Sequence, residues 1–125
     1  MRRVCYNNTI MTVKGIGIDI AETKRFFPFS KDRENRFLVS NFSKGELDYC
    51  FSFHDPTEHL AGTFAAKEAV VKAIGNQKLL QSTIEIRREK SGMPSVWIAN
   101  KKQKSIFISI SHTKDIATSI AIQQK

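Results

Sequence analysis

The chain has 125 residues, of which 41% are hydrophobic and 26% are charged. This composition indicates one globular domain with a core and excludes a disordered chain. The formal net charge of +8 predicts a polyanionic partner, which could be a nucleic acid, an acidic protein or a phosphate-rich small molecule.

The cysteines and the apolar segments indicate the compartment. Cys5 and Cys50 are far apart and form no CxxC pair, so we predict neither a disulfide framework nor a zinc site. Polar residues interrupt the stretch after Arg2 and Arg3, which argues against a signal peptide. No segment reaches the roughly 20 apolar residues that a membrane-spanning helix needs. We therefore expect a soluble protein of the reducing cytoplasm.

The first recognisable element is the strand GIGIDI, residues 15–20. Its isoleucines alternate with Gly17 and Asp19, which places Asp19 on the opposite face from the isoleucines. Glycines on that face leave room for another backbone or a ligand. Asp19 is thus a candidate site residue, and an aspartate that caps a following helix is the alternative. Residues 1–10 form a predicted N-terminal extension of unknown role, ahead of a single domain at residues 11–125.

A basic and aromatic stretch follows this strand. Lys24 and Arg25 stand beside three phenylalanines, and Pro28 should end any helical turn there. Ser43 and Glu46 have the spacing of a capping box, so short helices are predicted here. The apolar side chains expected to enter the core from this stretch are Phe42, Leu47, Phe51 and Phe53.

A long helix is predicted to end at Gly75. Asp55 can cap it, Pro56 suits the first helical position, and Glu58 completes a capping box. At about 100° per residue, Glu68 falls inside the apolar arc of this helix. An acid therefore points where the apolar side chains point.

A carboxylate in that position needs a partner. Burying it unpaired is costly, so Glu68 must be protonated, paired or bound to a metal ion. A helix pair with Lys72 is the simple alternative. Asp19 and Glu68 together, without histidine or cysteine at ligand spacing, suit a hard cation such as magnesium. Such sites usually share the ion with a phosphate, whose charge Lys72 would neutralise.

The second half of the chain alternates like a series of strands. Residues 84–88 and 95–99 flank a turn that holds a glycine and a proline, and residues 105–111 and 116–122 flank a second turn. With the first strand, these elements predict an α+β fold. We expect an antiparallel sheet of about five strands packed on one long helix, with additional short helices.

Three segments, taken together, resemble the holo-acyl-carrier-protein synthases. They are GIGIDI, FAAKEAVVKAIG and ISISHTKDIATSIAI, in this order and at similar spacing, and the match spans about residues 11–122. Members of this family look like 4'-phosphopantetheinyl transferases, which move the pantetheine arm of coenzyme A onto a serine of apo acyl carrier protein and release adenosine 3',5'-bisphosphate. The resemblance implies a magnesium-dependent enzyme of fatty acid biosynthesis, with coenzyme A as co-substrate, and a homotrimer with sites between subunits.

The resemblance also implies roles for single residues. Asp19 and Glu68 match the family's magnesium ligands, and Lys72 matches a lysine that meets the coenzyme A phosphates. Either Glu68 or a water polarised by the metal would remove the serine proton, and both options stay open. His112 and Thr113 match the segment that lies along the coenzyme, with a solvent-exposed histidine at a strand end as the alternative.

One basic pair matches the family, and two other features of the sequence depart from it. Lys24 and Arg25 match the pair that grips the acidic carrier, and a solvated charge pair is the alternative. Thr63 stands where most relatives have an arginine, and residues 76–82 form a shorter loop without glycine. These departures predict weaker coenzyme binding, or compensation by a lysine such as Lys78.

Three functions are therefore compatible with the sequence. The first is the phosphopantetheinyl transferase. The second is a non-catalytic member of the family that binds coenzyme A or the carrier. The residue at position 63 and the short loop suggest this function. The third is a small basic module that binds nucleic acid, although such a module does not explain Glu68 on an apolar arc.

Overall fold

The computed structural model describes residues 12–76 and 78–125. The predicted extension at residues 1–10 lies outside this part, and the domain boundary after it stays a prediction. The helices are α1 (Arg36–Asn41), α2 (Lys44–Phe51) and α3 (Thr57–Ile74), and the strands are β1 (Val13–Glu22), β2 (Ile84–Arg88), β3 (Pro94–Ile98), β4 (Lys101–Lys102), β5 (Ile106–His112) and β6 (Ile116–Gln124). None of the helices in the described ranges has the length and apolar character needed to cross a membrane.

The strands form two antiparallel sheets of three strands each. One has the order β1-β6-β5 and the other the order β2-β3-β4. The predicted α+β class, with antiparallel strands around one long helix, is confirmed. The prediction had about five strands in one sheet, whereas β3 packs beside β5 without joining its ladder. The additional strand that the sequence did not predict is β4. It has only two residues, so no alternating pattern can be recognised in it.

Glycines allow β1 to lie directly against α3. A Cβ atom added to Gly17 would stand 2.0 Å from the carbonyl oxygen of Ala69, and one added to Gly15 would stand 1.9 Å from that of Ala73. The backbone that approaches the glycine face is therefore that of the long helix. Asp19 follows on the same face of β1, with its side chain 17% exposed.

Helix α3 is buried on nearly all sides instead of along one arc. Twelve of its 18 residues are buried, including Lys67, whereas Glu68 is only half-buried. The β1-β6-β5 sheet covers the small residues of the helix, and α2 and β2 cover another side. A single apolar arc is too narrow, because alanines outside it, such as Ala66, Ala69 and Ala73, are buried as well and permit close packing.

The start of α3 differs from the prediction. Asp55 Oδ1 accepts the N–H of Thr57 at 2.9 Å, but the helix begins at Thr57 and the predicted capping box does not form. Glu58 instead contacts His112, whose Nδ1 lies 3.1 Å from its carboxylate, because the end of β5 packs against the first turn. The predicted stop at Gly75 is confirmed, with a left-handed φ of 74°.

A buried ion pair joins three elements. Ser43 and Glu46 form the predicted capping box of α2. The Glu46 carboxylate also accepts Lys67 Nζ at 2.7 Å and the N–H of Ile86 in β2 at 2.8 Å. Lys67 donates in addition to the carbonyl of Asn41, and the side chains of the pair are 0% exposed. Both partners are thus hydrogen-bonded, as a buried pair requires.

The outer face of the β1-β6-β5 sheet is apolar and exposed. The isoleucines of β1 point away from α3, and the register places the outward side chains of β6 and β5 beside them. A contiguous apolar face of this kind is typical of a protein interaction site. The large side chains on it, each at least 36% exposed, are Ile16, Ile18, Ile20, Phe107, Ile116 and Ile120.

Candidate functional site

Two carboxylates and a lysine meet where β1 crosses α3. Lys72 Nζ donates to Asp19 Oδ1 at 3.1 Å and to the carbonyl of Ile18 at 2.9 Å. Glu68 lies one helical turn before Lys72, close enough for the Asp19 carboxylate to act on it. The structure therefore brings together the three side chains that the sequence predicted for a metal and phosphate site. We call Asp19, Glu68 and Lys72 the carboxylate cluster.

The environment of Glu68 is unfavourable for a negative charge. The described residues give it no ion pair, because Lys72 turns to Asp19. The simple alternative, a Glu68–Lys72 helix pair, does not form. Burial and the neighbouring Asp19 carboxylate raise the pKa of Glu68, and Lys72 and Arg25 oppose this rise. Binding a cation would relieve this unfavourable environment.

The donor set of this cluster fits a hard cation. Asp19 and Glu68 offer only carboxylate oxygens, which are the ligands that magnesium prefers. Over residues 12–76 and 78–125 there is no group of three or more histidine, cysteine, aspartate or glutamate side chains that could hold a metal. A cation held by two carboxylates needs further oxygen ligands, which water or a phosphate can supply.

The basic neighbours Lys24 and Arg25 are placed differently. The Lys24 side chain is 83% exposed and contacts Glu22 at 3.0 Å. The Arg25 guanidinium lies 4.8 Å from the ring centroid of Phe64, one helical turn before Glu68, and its charge acts on the Glu68 carboxyl. Arg25 therefore borders the carboxylate cluster, while Lys24 extends into solvent. An open cleft of about 670 Å³ runs beside both.

His112 belongs to a second cluster, beside the first turns of α3. Its Nδ1 contacts Glu58, and its ring meets that of His59 edge to face, with 5.4 Å between centroids. Thr113 forms the turn after β5, where its hydroxyl accepts two backbone N–H groups at 3.3 and 3.2 Å. Within one chain, the predicted coenzyme contacts His112 and Thr113 are thus not beside Lys72.

This second cluster surrounds a pocket of about 80 Å³. His59 stacks on Phe53 with 3.5 Å between ring centroids, which explains why Phe53 is 39% exposed instead of entering the core. Arg88 lies with its guanidinium 4.6 Å from the Tyr49 ring centroid. Local patterns along the chain do not reveal this pocket, because its walls come from α2, α3, β2 and β5.

Thr63 faces the protein interior. It is 3% exposed, and its hydroxyl lies 3.6 Å from Cys50 Sγ in α2. Burial raises the pKa of the Cys50 thiol to about 12, so this cysteine is unreactive. The position at which the family resemblance predicts an arginine therefore offers no side chain to a phosphate.

Comparison with known proteins gives close relatives along most of the chain. The family model of the 4'-phosphopantetheinyl transferase superfamily matches residues 15–121. A holo-(acyl-carrier-protein) synthase of Thermodesulfovibrio yellowstonii is 40% identical over 111 residues, covering 88% of this chain and 97% of that protein. One of Bacillus subtilis is 35% identical over 118 residues, covering 90% and 97%.

Solved structures share the fold. A holo-(acyl-carrier-protein) synthase of Bacillus anthracis in complex with CoA aligns with a TM-score of 0.74 and 28% identity, covering 93% of this chain and 99% of that one. The enzyme of Helicobacter pylori in complex with coenzyme A aligns with a TM-score of 0.73 and 28% identity, covering 88% and 99%. The likeness extends over nearly the full length of both structures.

Proposed function

The chain belongs to the 4'-phosphopantetheinyl transferase superfamily, and from this membership we propose that it transfers the 4'-phosphopantetheine arm of coenzyme A to a serine of apo acyl carrier protein. The products are holo acyl carrier protein and adenosine 3',5'-bisphosphate. The observation that carries the proposal is the half-buried Glu68, which has no ion pair among the described residues and lies near Asp19 and Lys72. The names of the relatives and the coenzyme complexes of the structural neighbours support it.

Each residue of the carboxylate cluster has its own role in this reaction. Asp19 and Glu68 would hold Mg²⁺, which supplies neutralisation of diphosphate charge when bound. The serine oxygen forms a bond to the phosphorus that carries pantetheine, and the bond from that phosphorus to the departing bisphosphate oxygen breaks. Glu68 accepts the serine proton directly or through one water. Lys72, anchored by Asp19 and the Ile18 carbonyl, stabilises the negative charge of the leaving phosphate.

The acidic carrier is proposed to dock beside the basic end of β1. The chain has a net charge of +8, and Lys24 and Arg25 flank the open cleft next to the carboxylate cluster. Opposite charges on two partners accelerate and orient their encounter. The carrier of fatty acid biosynthesis is the default partner, and the cytoplasmic location stays a prediction from the cysteine pattern.

Intact mass spectrometry of the carrier tests the function. The protein is incubated with Mg²⁺, coenzyme A and an apo acyl carrier protein, and the carrier is expected to gain the mass of one phosphopantetheine. The same mixture with excess EDTA serves as the control and should leave the carrier unchanged. An unchanged carrier with Mg²⁺, together with saturable coenzyme A binding, would instead identify a non-catalytic member of the family. The buried Thr63 is the observation that suggests this alternative.

We further propose a homotrimer with sites between subunits. The exposed isoleucine face of β1 needs a cover, which the same faces of two further copies provide when all three meet around one rotation axis. Glu58 and Glu68 are ten residues apart on α3, or about 15 Å along its axis, so the His112 cluster is remote from the carboxylates of its own chain. A neighbouring copy can bring the two clusters to one coenzyme. The number three comes from the family resemblance.

Light scattering tests this assembly. The wild-type protein should have about three times the chain mass of 14.2 kDa. Ile18→Lys introduces charge into the centre of the apolar face and should shift the protein to monomers with loss of transfer activity. Val39→Lys on α1 is the matched control, since this side chain is 54% exposed and lies outside the face. A wild-type monomer at working concentration would contradict the trimer.

A further inference from the structure

Thr23 connects the segment that carries Lys24 and Arg25 to the turn between β5 and β6. Its hydroxyl donates to the carbonyl of Lys114 at 2.6 Å, and its N–H donates to the carbonyl of Asp115 at 3.0 Å. The residue is 5% exposed, and hydrogen bonds shielded from water are stronger than exposed ones. One buried residue therefore satisfies two adjacent carbonyl groups of a turn that is far away in the sequence.

The turn between β5 and β6 is itself well bonded. The N–H of Thr113 donates to the carbonyl of Ile116 at 2.8 Å, and the hydroxyl of Thr113 accepts the N–H groups of Asp115 and Ile116 at 3.3 and 3.2 Å. These bonds use the donors of the turn, and the carbonyls of Lys114 and Asp115 accept from Thr23. The turn thus gives Thr23 a fixed point at the end of the middle strand of the sheet.

The basic pair Lys24 and Arg25 lies between two buried residues. Thr23 precedes the pair and Phe26 follows it, and the Phe26 side chain is 0% exposed. The N–H of Phe26 donates to the carbonyl of Thr23 at 2.9 Å, which closes a single 3-10 turn around the pair. On the other side, the Arg25 guanidinium lies 4.8 Å from the ring centroid of Phe64. The backbone of the pair is therefore held at both ends.

The cleft of about 670 Å³ lies between the two parts that Thr23 joins. Lys24 and Arg25 line it from the segment after β1, and Asp115 lines it from the turn. The two hydrogen bonds of Thr23 fix the separation of these parts. They thereby fix the place of Arg25 relative to Glu68, on whose carboxyl its charge acts.

We propose that Thr23 is a positioning residue for the acidic carrier, which holds Lys24 and Arg25 in the orientation that receives it. This inference rests on the proposed function. A long charged side chain on a mobile segment loses conformational freedom on binding, and a segment already held in place avoids most of that cost. The attraction between opposite charges then also sets the orientation of the carrier. Thr23 acts through its neighbours, because it is itself buried.

Steady-state kinetics of Thr23→Val test the proposal. Valine has the shape of threonine, so the substitution removes the hydroxyl and keeps the backbone N–H. The KM for apo acyl carrier protein should rise about tenfold, while kcat and the KM for coenzyme A should change by less than about twofold. Thr23→Ser retains the hydroxyl and should restore the KM of the wild type for the carrier.

Thr83→Val is the matched control for this substitution. The hydroxyl of Thr83 also donates to a backbone carbonyl at 2.6 Å, that of Leu80, and the residue does not line the cleft. This variant should leave both KM values as in wild type. An equal rise of the KM for coenzyme A and for the carrier in Thr23→Val would overturn the proposal, because Thr23 would then not act on the basic pair.

The dependence on salt separates positioning from a general loss of stability. The kcat/KM of the wild type for the carrier should fall as sodium chloride is added, because salt screens the attraction between opposite charges. The fall should be smaller in Thr23→Val, whose basic pair is no longer aligned. A lower melting temperature with an unchanged KM and an unchanged salt dependence would overturn the proposal, since Thr23 would then serve the fold alone.

Carrier binding keeps this test independent of the transfer reaction. Absence of transfer by the wild type would reject the proposed function, and calorimetric titration with the apo carrier then decides the role of Thr23. Binding about tenfold weaker in Thr23→Val than in wild type and Thr83→Val would support the positioning role. Equal affinities, or no binding of the carrier by the wild type, would overturn it.

Discussion

Replacing Lys67 by methionine is expected to lower the free energy of unfolding by about 3–5 kcal/mol, because it leaves the carboxylate of Glu46 buried without its cation. Methionine fills a similar volume, so the loss reports the charge and not a cavity. The Asn41 carbonyl loses its donor as well. Since small domains are stable by only about 5–15 kcal/mol, the variant should be close to unfolding. Urea denaturation at neutral pH measures the difference.

An exposed pair on α2 provides the matched control. Lys44 and Asp48 are in contact at 3.0 Å, with Lys44 85% exposed. Lys44→Met should change the free energy of unfolding by no more than about 0.5 kcal/mol. Adding Glu46→Gln to Lys67→Met should restore part of the loss, because glutamine is neutral and can still accept the N–H of Ile86. A loss in Lys67→Met as small as the control would show that the pair contributes no net stability.

Replacing Glu68 by glutamine is expected to reduce the transfer rate by about a thousand-fold and to stabilise the fold at neutral pH. Because the folded-state pKa of Glu68 is raised, the unfolded chain loses this proton first as the pH rises. Ionisation therefore favours the unfolded state above the ordinary glutamate pKa of about 4.3, and glutamine removes that cost. Thermal unfolding at pH 7 should show the gain, which should vanish below this pKa.

Added magnesium distinguishes the effect of Glu68→Gln on metal binding from its effect on stability. Added Mg²⁺ should raise the melting temperature of the wild type by binding the folded state, and it should have little effect on Glu68→Gln. Glu34→Gln is the control, because Glu34 is an exposed carboxylate away from the cluster. Loss of activity accompanied by a lower melting temperature would contradict the site, since Glu68 would then serve the fold.

The carboxylate cluster was predictable because each of its residues lies in a segment with a clear local pattern. The alternation of β1 places Asp19 opposite the isoleucines, and the glycines on its own face admit α3. The helical repeat then places Glu68 and Lys72 one turn apart. Two regular elements that pack closely bring these side chains together without help from the rest of the chain.

The roles of neighbouring residues were harder to predict. Lys67 and Glu68 are adjacent, and the helical pattern assigned the apolar side to Glu68, whereas Lys67 is the fully buried charge. The difference arises from Glu46 and the carbonyl of Asn41, which lie in other elements, accept Lys67 Nζ and satisfy its charge. The same limit applies to Arg88 and His59, because the pocket they share exists only after four elements have packed.

The pairing of β1 with β6 has a consequence for biosynthesis. The first strand of the described chain lies beside the last, with Asp19 opposite Ser119, and β6 is the middle strand of its sheet. On the ribosome, β1 and β5 emerge before the strand that must join them. The nascent chain therefore holds Asp19 without its complete sheet until β6 has left the ribosome. Activity should appear only after β6 has emerged and paired, and such a distant pairing slows folding.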